Sequence, residues 1–241
     1  MGKKLSQEAC ARYRVIAHRG FHNPSVCENS LNAFSLAIEN NLPFEFDIHM
    51  TKDGKLVVCH DSDLKRVTGK EGFIPQLTLE QIKNEYRLND GQQVPTIEEV
   101  LELNKESSPI VVELKIDEAN DKEMADAALA ALSNIKDKSK VTIISFYPKA
   151  LRRCKGHGFT TGLLISQNHP NVKYLSLLFD YLDVDVELLK DPYYERYRRK
   201  GGKVNVWTVE KEEQLEFIKG KVDMVTFQHL PIDLVKKTME G

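Results

Sequence analysis

The sequence predicts an α/β protein in which eight parallel strands and their connecting helices close into one (β/α)8 barrel. Three observations lead there. Short apolar runs of strand character recur eight times, most of them followed by residues at helical spacing. The chain has 241 residues, a length at which such barrels form a single domain. No Pro/Gly/Ser-rich stretch divides it, and no segment repeats another by sequence identity, so 1–241 reads as one domain.

The first strand is Val15–Ala17. Asn29-Ser30 then offers a cap for a helix whose Leu31, Phe34, Ala37 and Ile38 recur on one face. Pro43 precedes a second strand, Phe44–Met50, with period two: Glu45, Asp47 and His49 share one face and Phe46, Ile48 and Met50 the other. Asp53-Gly54 turns the chain back through Lys55–His60 as a hairpin. Asp61–Pro95 is polar and too long for an ordinary connection. It is expected to form a small inserted cap after strand 2, about 61–95, lying over the barrel mouth, helical from Thr78 to Tyr86 and without apolar surface. Thr96 and Glu99 form a capping box for the next helix.

The alternation then continues with strand Ile110–Ile116 and an Ala/Leu/Met helix to about Ile135. Strand Val141–Phe146 leads to helix Pro148–Lys155, and strand Thr160–Ile165 to a helix near Val172–Leu178. Strand Leu182–Leu188 leads to helix Pro192–Lys200, and strand Val204–Val209 to helix Glu212–Ile218. Strand Val222–Phe227 and helix Ile232–Thr238 complete an α/β (β/α)8 TIM barrel.

Composition excludes several functions. Lys+Arg number 34 and Asp+Glu 36, for a net charge of -2, which argues against a dedicated nucleic-acid binder. No apolar run approaches a membrane span, so no stable membrane insertion is expected. The N-terminus lacks the apolar region of a secretory signal, and Cys10, Cys27, Cys59 and Cys154 have no metal spacing; free thiols in a reducing cytoplasm are the expectation. Met1–Ser6 fits the loose N-myristoylation pattern, which is short enough to arise by chance. Tyr193–Lys200 reads as an outer helix with a solvated basic face, a lipid-headgroup contact being the lesser reading. Oligomeric state has no signature in the sequence.

In such a barrel the chemistry sits at the C-terminal ends of the strands. His18-Arg19-Gly20 end the first, Glu45 and Asp47 lie on the second, and His60-Asp61 end the hairpin. Glu113 and Lys115 share a face of the third barrel strand, and Asn205 and Trp207 a face of the seventh. Three carboxylates from neighbouring strands repel unless one is protonated or a cation joins them, and oxygen-only ligands suit one divalent cation, Ca²⁺ or Mg²⁺. The competing reading is a structural network with Arg19 and Lys115. His18 and His60 have the chemistry of a general base and a general acid, although a single His is more often a hydrogen-bonded structural residue. Arg19 adds a fork for phosphate, and the whole set suits phosphoryl transfer.

The strings His18-Arg19-Gly20, Glu28-Asn29-Ser30, Ala33-Phe34, Glu45-Phe46-Asp47, Thr51-Lys52-Asp53-Gly54 and Val57-Val58-Cys59-His60-Asp61 resemble the glycerophosphodiester phosphodiesterase family. Glu113-Leu114-Lys115 and Val206-Trp207-Thr208-Val209 resemble its later motifs, so the resemblance runs from about Val15 to Pro231. It implies a barrel with a small inserted cap, and a Ca²⁺ or Mg²⁺ ion on residues matching Glu45, Asp47 and Glu113. The paired acid and base match His18 and His60, and Arg19 and Lys115 match residues near the phosphate. Glu28 and Trp207 complete the expected substrate-binding set, Trp207 as core packing or as a wall for glycerol.

The implied activity is hydrolysis of a small glycerophosphodiester to sn-glycerol 3-phosphate and an alcohol, by water or by the substrate's own 2-hydroxyl, with little selectivity among head groups. The alternatives are a phospholipase C/D-like phosphodiesterase acting on lysophospholipids and a catalytically silent binding protein. One stretch departs from the family: at the end of the last strand Met224 stands for the usual Gly and Phe227 for the usual Asp, which touches the pocket wall rather than the core site.

Overall fold

The computed structural model describes residues 5–117 and 119–240. Most of the myristoylation-like pattern, Met1–Lys4, therefore lies outside the described residues. The strands are β1 (Val15–Ala17), β2 (Phe44–Met50), β3 (Leu56–Val58), β4 (Ile110–Leu114), β5 (Val141–Ser145), β6 (Thr160–Ile165), β7 (Tyr181–Asp185), β8 (Val204–Val209) and β9 (Met224–Phe227). The α-helices are α1 (Gln7–Arg12), α2 (Leu31–Glu39), α3 (Lys65–Thr68), α4 (Leu79–Glu85), α5 (Ile97–Asn104), α6 (Asp121–Ala131), α7 (Pro148–Cys154), α8 (Pro192–Arg199), α9 (Glu212–Ile218) and α10 (Ile232–Glu240).

The strand order is β1-β9-β8-β7-β6-β5-β4-β2-β3, and a further parallel pairing of β1 with β2 closes the ring. β3 runs antiparallel to β2 and hangs off its C-terminal half, opposite Ile48–Met50. The remaining eight strands form the closed parallel barrel that the alternation predicts.

Strand period decides which residues meet which layer. Phe44 and Phe46 point outward, where the Phe34 ring of α2 lies 5.0 Å and 5.6 Å from theirs. Ile16, Val111, Ile144, Leu164, Tyr181 and Met224 instead form an inner cluster with Leu5, Cys10 and Tyr13. Tyr13 donates to the Ser139 carbonyl and the Leu5 amide to that of Asp180, both just ahead of a barrel strand, so α1 stoppers the N-terminal end. Gly162 is required by this filling, because a Cβ there would lie 2.3 Å from the Tyr181 ring. Met224, the residue that departs from the family at β9, is a member of the inner cluster and 1% exposed.

Several boundaries differ from expectation. Pro170–Leu178 is a 3₁₀ helix rather than an α-helix. The strand expected to run to Leu188 stops at Asp185, which turns the chain by accepting from the Glu187 amide. β9 begins at Met224 rather than Val222, and the strand from Ile110 ends at Leu114. The insertion holds α3, a 3₁₀ turn at Ile74–Gln76 and α4. It is not purely polar: Leu64, Val67, Ile74, Ile82, Tyr86 and Leu88 form their own core against Val57 and Cys59. A segment of that length must bury apolar area to hold one conformation.

Gly20 sets the entry to the site. Its φ is +80°, and an added Cβ would lie 2.8 Å from Ala33 Cβ and 2.9 Å from the Ala33 carbonyl carbon. Gly20→Ala combines positive-φ strain with a backbone clash. It is expected to lower stability by about 2–4 kcal/mol in urea titrations, with an unchanged denaturant slope.

Candidate active site

Two adjacent strands position the carboxylates. In the parallel register of β2 and β4, Asp47 stands opposite Glu113 and Glu45 opposite Val111, so Glu45, Asp47 and Glu113 project to the same side. All three are buried, and one oxygen from each lies within 4.8 Å of the others. Asp47 Oδ1 lies 3.0 Å from Lys115 Nζ, and Glu113 Oε1 lies 2.8 Å from the same ammonium. Asp47 Oδ2 accepts from Asn29 Nδ2 at 2.8 Å and lies 3.5 Å from Arg19 Nε. Glu45 Oε2 accepts from the Arg19 amide at 2.9 Å, while Glu45 Oε1 is buried without a hydrogen-bond partner. Part of the structural-network reading therefore holds, since Arg19 and Lys115 do pair with Asp47.

The charges do not balance among the three. Burial works against ionised Asp47, but Lys115 and Arg19 outweigh it and hold this carboxyl far below its usual range. Burial, then Asp47 and Glu113, push Glu45 well up. Burial pushes Glu113 to about 7, against the pull of Lys115 and with the help of Asp47. The protein's own cations thus satisfy one carboxylate and leave two strained. A trio of hard oxygen donors with an orphaned buried lone pair fits a divalent cation of the Ca²⁺ or Mg²⁺ type.

The histidines are oriented by different partners. His18 Nδ1 lies 2.6 Å from Gln228 Oε1 and His60 Nδ1 lies 2.8 Å from Asp61 Oδ1. In both, an Nδ1–H donates to oxygen and leaves Nε2 for the site. Burial and the neighbouring Arg19 push His18 down to about 3, against the Gln228 hydrogen bond. Burial also lowers His60, but the carboxylates of Asp47 and Asp61 oppose it. His60 is held from behind as well: His49 Nε2 contacts its carbonyl at 3.0 Å, and His49 Nδ1 lies 2.7 Å from Asp117.

Arg19 is clamped. Its φ of +51° turns the chain so that its amide reaches Glu45 while its guanidinium meets Glu28 Oε1 at 2.9 Å. Arg66, from α3 of the insertion, contacts Glu28 at 2.8 Å and Asp61 at 2.5 Å. These two guanidiniums hold Glu28 down near 2 despite its burial. Glu28 therefore anchors Arg19 to the insertion instead of lining the cavity.

A cavity of about 140 Å³ is lined by His18, Arg19, Glu45, His60, Glu113 and Lys115, with Ile144, Phe146, Leu164 and Trp207 forming an apolar wall. Trp207 is thus both wall and packing: its ring lies 5.7 Å from Phe146, and Nε1 donates to the Asp183 carbonyl. A second cleft shares His60, Glu113, Lys115 and Phe146 and opens past Asp61, Asp117 and Tyr147. Sequence reasoning missed Gln228, Asp117, Arg66 and Asp183. Asp183 lines the inner cavity, accepts from Asn205 Nδ2 at 2.7 Å and is pushed up to about 7 by burial. Its place inward on β7 was readable from strand period; Gln228 and Arg66 had no local signal.

Two differently supported imidazoles beside two cations and a carboxylate trio suit the cleavage of a phosphoric diester, and the chain is a phosphoric diester hydrolase on a (β/α)8 barrel. Residues 18–232 match the model of the Glycerophosphoryl diester phosphodiesterase family, and the chain belongs to that family. A glycerophosphodiester phosphodiesterase of Caldanaerobacter subterraneus subsp. tengcongensis is 31% identical, over 87% of this chain and 91% of its own length. The crystal structure of a glycerophosphodiester phosphodiesterase from Parabacteroides distasonis superposes with a TM-score of 0.76 at 27% identity, covering 95% of this chain and 96% of its own. The fold is also that of an Oleispira antarctica phosphodiesterase solved with its product sn-glycerol-3-phosphate, at TM-score 0.81 and 22% identity, covering 95% and 97% of the two chains.

Because Glu45 and Glu113 are both shifted upward, a cation must displace protons from them. Mg²⁺ or Ca²⁺ affinity is therefore expected to weaken as pH falls through about 7, by roughly tenfold per unit where one proton is released, and to level off at higher pH. Calorimetric titrations in buffers of different ionisation enthalpy measure both the slope and the protons released.

Proposed function

We propose that this protein hydrolyses glycerophosphodiesters to sn-glycerol 3-phosphate and a free alcohol, with one divalent cation held by Glu45, Asp47 and Glu113. The reading rests on one observation above all: His18 and His60 line a single cavity with Arg19 and Lys115, yet one is backed by an amide and the other by a carboxylate. Family membership and the glycerophosphodiester phosphodiesterases similar to this chain support the substrate class.

When bound, the cation neutralises phosphate charge and polarises phosphorus. The residues supply the rest. Arg19, stretched between Glu28 and Asp47, presents a fork to the phosphate oxygens, and Lys115 adds positive charge on the opposite carboxylates. His18 stays neutral because burial and the adjacent Arg19 outweigh the Gln228 hydrogen bond, so its free Nε2 takes the proton from the attacking hydroxyl as a general base. Burial lowers His60, but Asp47, Asp61 and the bound phosphodiester anion favour its protonated form; its Nε2–H protonates the departing alkoxide as the P–O bond breaks. The Trp207 and Phe146 wall accommodates the glycerol carbons, and the second cleft gives the alcohol a solvent-facing exit.

In an assay that couples glycerol 3-phosphate release from glycerophosphocholine to a dehydrogenase, chelation should bring the rate to background and Mg²⁺ or Ca²⁺ should restore it. His18→Ala and His60→Ala are each expected to cost about 10²–10⁴-fold in kcat, and the double variant much less than the product of the two. A nitrophenyl ester needs no proton on its leaving group. His60→Ala should therefore lose little on that substrate while His18→Ala loses as much as before; equal losses would remove the assignment, and the opposite pattern would reverse it.

A further inference from the structure

One wall of the barrel is built inside out. Where the alternation calls for an amphipathic helix between β6 and β7, the chain forms the 3₁₀ segment Pro170–Leu178. In it Ser176 is buried at 4%, while Tyr174 is 67%, Leu175 38%, Leu177 69% and Leu178 40% exposed. Among the described residues these are four of the five large apolar side chains that face solvent; the fifth, Tyr147, caps α7 and lines the outer cleft of the site.

The inversion is held in place. Ser176 Oγ is 2.8 Å from the Tyr193 hydroxyl, that hydroxyl donates to the Lys173 carbonyl, and Lys155 of α7 donates to the Leu178 carbonyl. The ridge therefore stands between α7 and α8 with polar bonds beneath it and leucines above. A soluble surface seldom carries such a contiguous apolar patch without a partner.

Charge names the partner. Residues 149–200, which contain α7, the ridge and α8, carry ten Lys and Arg against six Asp and Glu, while the rest of the chain carries 24 against 30. Lys149 and Arg152 on α7 and Arg196 on α8 are exposed on either side of the ridge. An apolar strip flanked by basic residues on an otherwise acidic protein fits an anionic phospholipid surface, with leucines entering the acyl boundary and cations at the headgroups. We propose that this face docks the protein reversibly on anionic membranes. The docking is peripheral, since no described helix is long and apolar enough to cross a bilayer. It is independent of the hydrolytic reading.

The test is co-sedimentation of the full chain with phosphatidylcholine vesicles and with vesicles containing phosphatidylglycerol, at low and high salt. Binding to the anionic vesicles should exceed that to the neutral ones by about tenfold or more and fall with salt. Leu177→Asp, and separately Arg152→Glu with Arg196→Glu, should each reduce that binding about tenfold. Hydrolysis of soluble glycerophosphocholine should stay at the wild-type rate, which shows both variants folded. Equal binding to both vesicle types, no binding to either, or wild-type binding by Leu177→Asp would overturn the proposal. So would a dimer in analytical ultracentrifugation that Leu177→Asp dissociates, because the ridge would then be covered by a second copy.

Discussion

Three carboxylates buried within 4.8 Å of one another are the constraint on which the rest of this structure depends. Such a cluster is costly to bury, and the cost is met by groups drawn from separate parts of the chain. Lys115 lies two residues past Glu113, just beyond the end of β4, Asn29 precedes α2, and Arg19 lies in the turn after β1. These partners satisfy Asp47 and leave Glu45 Oε1 unpartnered. A protein that needed only a stable barrel mouth would place apolar residues there. A buried acid cluster left incompletely compensated offers hard oxygen donors to a divalent cation.

The loop after β1 shows how far this requirement reaches. Arg19 and Gly20 both have positive φ, and their successive amides bond to the Glu45 side chain and the Glu45 carbonyl. The cramped turn leaves Gly20 no room for a Cβ against Ala33. Strain of this kind survives only where surrounding contacts over-determine it, and here they run outward through Glu28 to Arg66 on the insertion. The insertion is therefore part of the site: its small core of Leu64, Val67, Ile74 and Ile82 is what gives Arg66 a defined place from which to hold Glu28 and Asp61.

The barrel is least regular where it faces outward between β6 and β7. A shell helix normally turns its apolar stripe toward the sheet, but Pro170–Leu178 turns a serine inward and leucines outward. The same stretch sits within residues 149–200, which carry a basic excess while the rest of the chain is acidic. Val172 packs inward and Ser176 bonds to Tyr193 beneath the segment, while the leucines at its C-terminal end stay exposed.

Much of this was legible in the sequence because it depends on local periodicity. Alternation along Phe44–Met50 puts Glu45 and Asp47 on one face whatever the rest of the chain does, and eight such runs separated by helical patterns imply a closed parallel barrel. Ordered strings around His18 and His60 marked the family and the expected acid and base. Pro170–Leu178 forms a 3₁₀ segment instead of the helix expected near Val172–Leu178, because its orientation is fixed by tertiary contacts such as Ser176 with Tyr193 and not by its apolar content. Glu28, expected at the substrate, became the anchor of Arg19 because Arg66, 38 residues away, folds back onto it. Gln228 reaches His18 across 210 residues, and no local pattern encodes so remote a contact. Short-range spacing alone encodes the barrel and the types of residue at its strand ends. The tertiary structure decided how each histidine is supported and which carboxylates go unsatisfied, because those depend on distances between strands that meet only when the barrel closes.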